Sequence, residues 1–86
     1  MSVEDYKRSA LDSMMAKARS DRTQALTSLH ILLDWPAGIG DHSTSDLHNN
    51  LNDSLAKLAD ADDRIHALKT HFGKYFPEPP EEKPPF

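Results

Sequence analysis

The apolar positions of this chain fall into two stretches with helical spacing, separated by a short segment rich in proline and glycine. In the first stretch, aliphatic and small side chains recur three or four residues apart, as on one face of a helix. They are Leu11, Met14, Met15, Ala18, Ala25, Leu26, Leu29, Leu32 and Leu33. Ser2 followed by Asp5 resembles a capping box. The pattern predicts one continuous helix over about residues 3–34, with a break at Ser20 and Asp21 as the alternative.

The second stretch carries a seven-residue repeat, which is typical of helices that pack along a narrow stripe. The repeat has two offset rows and one flanking position that widens the stripe. The rows are Leu51, Leu58, Ile65 and Phe72, then Leu47, Ser54, Ala61 and Leu68, with Leu55 beside them. Hydroxyl side chains at residues 43–45 are candidate N-caps, and Gly73 is a stop signal. This predicts a second helix over about residues 44–72.

The segment between the stretches predicts a tight turn over residues 35–43. Pro36 ends the first helix because proline cannot donate to the helical ladder, and Gly38 and Gly40 allow backbone shapes that other residues resist. A short turn between two helices of similar length makes them antiparallel neighbours. The predicted fold is therefore all-α, an antiparallel two-helix hairpin over residues 1–74, followed by an extended Pro-rich tail over residues 75–86.

Both apolar stripes are wider than a single partner helix can cover. A core of this size is marginal for an isolated domain, so we expect self-association, a dimer favoured, into a four-helix bundle. The expected self-association residues are Leu51, Leu55, Leu58, Ile65, Leu68, Phe72, Leu11, Met15 and Leu29. The alternative is a third element, either a split first helix or the tail, that packs back within the same chain.

Composition narrows the possible partners. The net charge of −4 leaves no broad positive surface for phosphates, so we expect no nucleic-acid partner. The sequence contains no membrane-spanning apolar run and no secretory signal, and it has no cysteine. These features predict a cytoplasmic protein with no membrane partner.

The turn is the most unusual segment and the candidate site for a partner or ligand. Its residues are Gly38, Ile39, Gly40, Asp41, His42 and Ser43. Backbone amides at a helix N-terminus can bind an anion, although Asp41 would repel one and the phosphate-loop lysine is missing. The competing interpretation is a purely structural turn, with Ile39 closing the end of the bundle.

Catalysis and metal binding have little support in the sequence. Two pairs, Asp62 with His66 and His30 with Asp34, share helix faces, but zinc needs three or four converging ligands. The acidic run at residues 60–63 is typical of a solvated face, and no nucleophile motif is present. We therefore expect no enzyme activity, no metal and no cofactor. Pro77 and Pro80 have the spacing that SH3 domains bind, but acidic residues surround them.

Two segments together resemble short uncharacterised proteins of tailed bacteriophages, marine ones especially. The first runs from Leu32 to Ser43 through Gly38-Ile39-Gly40-Asp41-His42, and the second is Leu55-Ala56-Lys57-Leu58-Ala59-Asp60-Ala61-Asp62-Asp63-Arg64. The resemblance covers residues 25–72 and implies a helical hairpin of viral origin, without an activity.

Three functions follow as hypotheses. The first is a non-enzymatic oligomeric adaptor, a phage accessory protein in the host cytoplasm that self-associates through its helix stripes. It would bind a host or viral protein through the turn end or the tail. The second is a protein that sequesters a small anionic signal, such as a cyclic nucleotide. Its expected cationic contacts are Lys7, Arg8, Lys17, Arg19 and Arg22. The third is a minor structural protein of the virion.

Overall fold

The computed structural model describes residues 2–34 and 44–77. Helix α1 spans Val3–Asp34, helix α2 spans Thr44–Phe72, and a 3₁₀ turn follows at Gly73–Tyr75. The two helices pack against each other along their lengths. Two side-chain bonds join Glu4 to Tyr75 and Arg22 to Asp62. Residue numbers rise along α1 as their partners' numbers fall, so the helices are antiparallel. The predicted all-α hairpin is confirmed.

Helix α1 is continuous through Ser20 and Asp21, so the alternative with two separate helices does not occur. Its start is capped as the sequence predicts, because the Asp5 backbone N–H donates to the Ser2 hydroxyl at 3.1 Å. Within its polar middle, the Thr23 and Thr27 hydroxyls donate back to carbonyl oxygens four residues earlier. These bonds satisfy hydroxyl groups that would otherwise compete with the helical backbone.

The helices meet along a seam of buried positions, which follows the seven-residue repeat of α2. The seam consists of Leu11, Met15, Ala18, Ala25, Ser54, Ala61 and Leu68. Its middle is made of small side chains, and Ala18 and Ala61 are each only 1% exposed. Small residues at a contact let helix axes come close, toward the lower end of the usual range of about 8–10 Å. The middle of the seam is therefore tight but contributes little apolar volume.

The open end of the hairpin, residues 2–10 and 67–77, has a third element. The chain leaves α2 at Gly73, the predicted stop, and the 3₁₀ turn brings Tyr75 back over the helices. Tyr75 joins Leu11, Met15 and Leu68 in one buried cluster, and Ile65 and Phe76 pack against it. Tyr75 is the first residue of the segment expected to form the extended tail, and its burial matches the alternative in which the start of that segment packs back within the same chain as a third element.

The turn end, residues 28–34 and 44–53, is packed less completely. Its aliphatic side chains that face the seam are only half-buried: Leu29, Leu32, Leu47 and Leu51. Nearby, Ile31 and Leu33 are mostly exposed. Across residues 2–34 and 44–77 no large side chain is fully buried. The apolar interior of one copy is thus concentrated at the open end.

Candidate binding surfaces

The residues expected to drive self-association fall into three groups. Leu11, Met15 and Leu68 lie in the core of their own chain. Leu29, Leu51, Leu58 and Ile65 are half-buried along the seam. Leu55 and Phe72 are exposed. Within one copy, therefore, Leu55 and Phe72 offer the most accessible area of the predicted set, and the first group acts inside the hairpin.

Three grooves line one side of the hairpin, here called the groove face. It is marked by positions spaced seven residues apart on each helix, which share one side of a helix in a paired bundle. These are Met14, Asp21 and Ser28 on α1 and Lys57, Arg64 and His71 on α2. Each groove is lined by both helices, so the face follows the seam from the open end toward the turn end.

The first groove is mainly apolar and has a volume of about 510 Å³. Met14 and Phe72 supply its largest apolar side chains, and Leu68 of the seam closes its floor. Met14 is 51% exposed and Phe72 is 38% exposed in the isolated chain. Lys17, Arg64 and His71 stand at its margin. An apolar groove with a polar rim is typical of a surface that accepts another protein.

A chain of charges separates the first groove from the rest of the face. The Lys17 ammonium lies 2.9 Å from the Asp21 carboxylate, and Arg64 lies 3.1 Å from Asp60 and 4.0 Å from Asp21. These side chains are partly exposed, so each pair contributes about 1 kcal/mol or less. Because opposite charges alternate here, the middle of the face carries no strong net charge of its own.

The other two grooves continue toward the turn end. The middle groove, about 370 Å³, is lined mainly by polar residues, including Gln24 and Asp60. The third groove, about 330 Å³, includes Ile31 and Leu32. The two share Ser28, Ser54 and Lys57 in their walls, so they form one depression. The face thus has apolar side chains near both ends and polar ones between.

The opposite face of the hairpin differs in its cross-helix contacts. There the Arg22 guanidinium donates to the Asp62 carboxylate at 2.8 Å and bridges the two helices. Leu55 lies one repeat before Asp62 on the same side of α2 and is 55% exposed. Leu33 lies eleven residues, or three helical turns, after Arg22 on the same side of α1 and is 63% exposed. This face therefore also offers two exposed leucines beside an ion pair.

A cluster of cations surrounds Tyr75 at the open end. The Lys7, Arg8 and Lys74 charges lie 5.6, 5.5 and 5.0 Å from the centre of its ring. These distances are within the range of cation–π attraction, about 6 Å. The Tyr75 hydroxyl donates to the Glu4 carboxylate at 2.9 Å. The buried ring thus gathers three positive charges in a protein whose net charge is −4.

The structure therefore places the expected anion contacts in two different environments. Lys7 and Arg8 belong to the Tyr75 cluster, while Lys17 and Arg22 pair with Asp21 and Asp62. Lys74 joins the cluster although no sequence pattern singles it out. The predicted antiparallel arrangement is the signal that could have identified Lys74, because residues near 7 and near 74 share the open end of such a hairpin.

The candidate turn site, residues 38–43, lies outside the described residues, as does the tail from residue 78. The two histidine pairs do not gain further ligands. Asp62 binds Arg22, and the His66 Nε2 lies 3.4 Å from the Thr70 hydroxyl. Among residues 2–34 and 44–77, no three histidine, cysteine or acidic side chains are grouped closely enough to hold a metal ion.

Comparison with known proteins finds no matching family model, no matching curated protein and no matching solved structure. Neither described helix has an apolar stretch of the length that crossing a bilayer requires. The resemblance to phage proteins stays a prediction.

Proposed function

We propose that this chain is a non-enzymatic binding protein that works as an oligomer, a dimer favoured, and docks on a partner protein. The observation that carries the proposal is the apolar area left outside the seam. Met14, Ile31, Leu33 and Leu55 are each more than half exposed, while the seam-facing leucines of the turn end are half-buried. A hairpin with so small an interior gains stability when a second surface covers these side chains.

The resemblance within residues 25–72 extends this proposal to an accessory protein of a tailed phage that acts on a host or viral protein in the host cytoplasm. Two kinds of surface support a binding role. The groove face offers apolar side chains at both ends, and the open end offers a group of positive charges. A helical scaffold holds both surfaces in fixed positions.

Light-scattering mass measured across micromolar concentrations tests self-association. We expect at least twice the 9.6 kDa of one chain, with helicity and melting temperature that rise with protein concentration, because association stabilises the folded state by mass action. A well-folded 9.6 kDa species at every concentration would contradict the oligomer.

A pull-down from host extract tests the partner. The wild-type chain is compared with a Met14→Asp variant and with a Leu55→Asp variant, which introduces the same charge on the opposite face. A protein retained by the wild type and lost from only one variant is a partner. Loss from Met14→Asp places its binding site on the groove face, and loss from Leu55→Asp places it on the opposite face. Equal recovery on all three means that the captured protein binds neither face of the hairpin.

The Tyr75 cluster favours a second function, sequestration of a small anion such as a cyclic nucleotide. Lys7, Arg8 and Lys74 approach one buried ring, and three cations held near one point attract a phosphate more strongly than scattered ones.

Thermal melts with inorganic phosphate and with a panel of nucleotides test this second function. We expect an upward shift with a phosphate ligand that weakens as salt rises. The shift should disappear in Lys74→Gln and persist in Lys57→Gln, which removes a charge on α2 away from Tyr75. No shift with any member of the panel would remove this function from consideration.

A further inference from the structure

The two ends of the hairpin differ in charge. The open end, residues 2–10 and 67–77, contains four basic and two acidic side chains, and the sequence after residue 77 adds three acidic and one basic, so these contributions cancel. The turn end, residues 28–34 and 44–53, contains three acidic and no basic side chains, a net charge of −3. Two acidic turn ends repel each other when two copies bring like ends together, and this repulsion is avoided when each turn end meets an open end.

The apolar side chains of the groove face follow the same two ends. Met14 and Phe72 lie in the groove near the open end, and Ile31 and Leu32 lie in the groove near the turn end. When the open end of one copy meets the turn end of the other, the apolar groove near each open end faces the apolar groove near the other copy's turn end. Two copies placed with like ends together would set Ile31 against the polar α2 residues of the same groove, Asn50 and Asp53.

Resting on the self-association proposed above, we infer that the groove face binds a second copy of this chain, with the open end of one copy on the turn end of the other. The two-fold axis of this dimer crosses α1 between Arg22 and Thr23, about four residues past the middle of that helix, and α1 packs on α1 of the partner in the opposite direction. Met14 and Ile31 are equally distant from a midpoint between Arg22 and Thr23. Met14 therefore meets the partner's Ile31, and Gln24 lies near the axis.

The groove face is large enough for this role. Helix α2 has 29 residues, which at 1.5 Å per residue makes a face about 40 Å long and about 20 Å wide. Such a face covers roughly 800 Å² per copy, the size of a standard specific interface. Avoiding the repulsion between two acidic turn ends adds direction to an interface whose affinity comes mainly from its apolar contacts.

Single cysteines test the orientation, because the chain contains none of its own. The variants are Gln24→Cys near the axis, Met14→Cys and Ile31→Cys toward the two ends, and Leu55→Cys on the opposite face. Each is treated with a short bis-maleimide after light scattering and circular dichroism confirm its mass and helicity. In the inferred dimer, two copies of residue 14 are about 25 Å apart along the helix axis, whereas two copies of residue 24 are about 5 Å apart along it.

We expect a cross-linked dimer from Gln24→Cys alone and from Met14→Cys mixed with Ile31→Cys. We expect little cross-linking from Met14→Cys alone, Ile31→Cys alone or Leu55→Cys alone. Strong cross-linking of Met14→Cys alone and of Ile31→Cys alone would overturn the orientation while self-association stands. Cross-linking confined to Leu55→Cys would place the interface on the opposite face. A wild-type mass of one chain would overturn both the dimer and the proposed oligomer.

Discussion

The open end and the turn end of this hairpin are built from the same two helices but are packed to different degrees. At the open end and just inside it, the 3₁₀ turn adds Tyr75 to Leu11, Met15 and Leu68, and these side chains are nearly fully buried. At the turn end, the described residues include no third element, and Leu29 and Leu51 stay half-buried. Each of two packed helices covers only part of the other's apolar stripe. A third packed element therefore decides how much of that stripe is buried.

The buried side chains also differ in size along the hairpin. Leu11, Met15 and Tyr75 are large side chains, while the middle of the seam is built from Ala18, Ala25, Ser54 and Ala61. Burial of apolar area contributes about 25 cal/mol per Å², so the open end contributes more stability per residue than the middle. We expect the chain to unfold first from its turn end, and covering that end is one physical reason for a second copy to bind.

The largest expected effect comes from removing the third element. Tyr75→Ala deletes the ring that closes the open-end cluster, and loss of a buried aromatic side chain costs about 3–5 kcal/mol. We expect a large fall in the free energy of unfolding, measured by urea denaturation at one fixed protein concentration.

Tyr75→Phe keeps the ring and removes only the hydroxyl that donates to Glu4, so it checks the result if Tyr75→Ala does not fold. A hydrogen bond of this kind contributes about 1 kcal/mol, more when its acceptor is charged. If Tyr75→Ala were no less stable than Tyr75→Phe, the 3₁₀ turn would not contribute to the core.

The second test compares the two ends by the same substitution. Leu11 is 3% exposed, and Leu→Ala at a well-buried site costs about 2–5 kcal/mol. Leu29 is less completely buried, so Leu29→Ala should cost less than Leu11→Ala in the monomer, toward the lower end of that range. The comparison uses denaturation curves at low concentration.

Raising the protein concentration sharpens this comparison. If self-association covers the turn end, the cost of Leu29→Ala should grow toward that of Leu11→Ala as the oligomer forms. Equal costs at every concentration would mean that the two ends do not differ in packing.

The sequence predicts the helices and their pairing well, but not the difference between the two ends. The seven-residue repeat of α2 and the proline–glycine segment are enough to predict an antiparallel hairpin, because both are local signals. The burial of Tyr75 has no local signal. It depends on the distance between the start of α1 and the end of α2, which only the folded hairpin sets.

The candidate binding surfaces are likewise only partly predictable from local sequence patterns. Lys7 and Arg8 are recognisable as cations, but their gathering around Tyr75 depends on that third element. The alternation of charges along the groove face could be predicted, since Lys17 and Asp21 on α1, like Asp60 and Arg64 on α2, are four residues apart. Their meeting across the helices, Arg64 with Asp21, requires the register of the seam.

The third test concerns the tight middle of the seam. Ala61 is 1% exposed, and a larger side chain there would force the helices apart. Ala61→Leu should cost about 1–3 kcal/mol, as is usual for an overpacked core. Ala59→Leu is the matched control, because Ala59 is exposed on the same helix. If Ala61→Leu were as stable as the control, the middle of the seam would be looser than the structure shows.

The smallest expected effect comes from the ion pair that bridges the two helices, Arg22 with Asp62. Both side chains are about half exposed, 49% and 52%, so water and salt screen their attraction. A double-mutant cycle with Arg22→Gln and Asp62→Asn should give a coupling of about 0.2–1 kcal/mol, and the coupling should shrink as salt is raised. A coupling well above this range that persists in high salt would mean that charge, rather than apolar packing, holds the two helices together. The contrast between a packed open end and a partly covered turn end would then no longer govern where the hairpin opens.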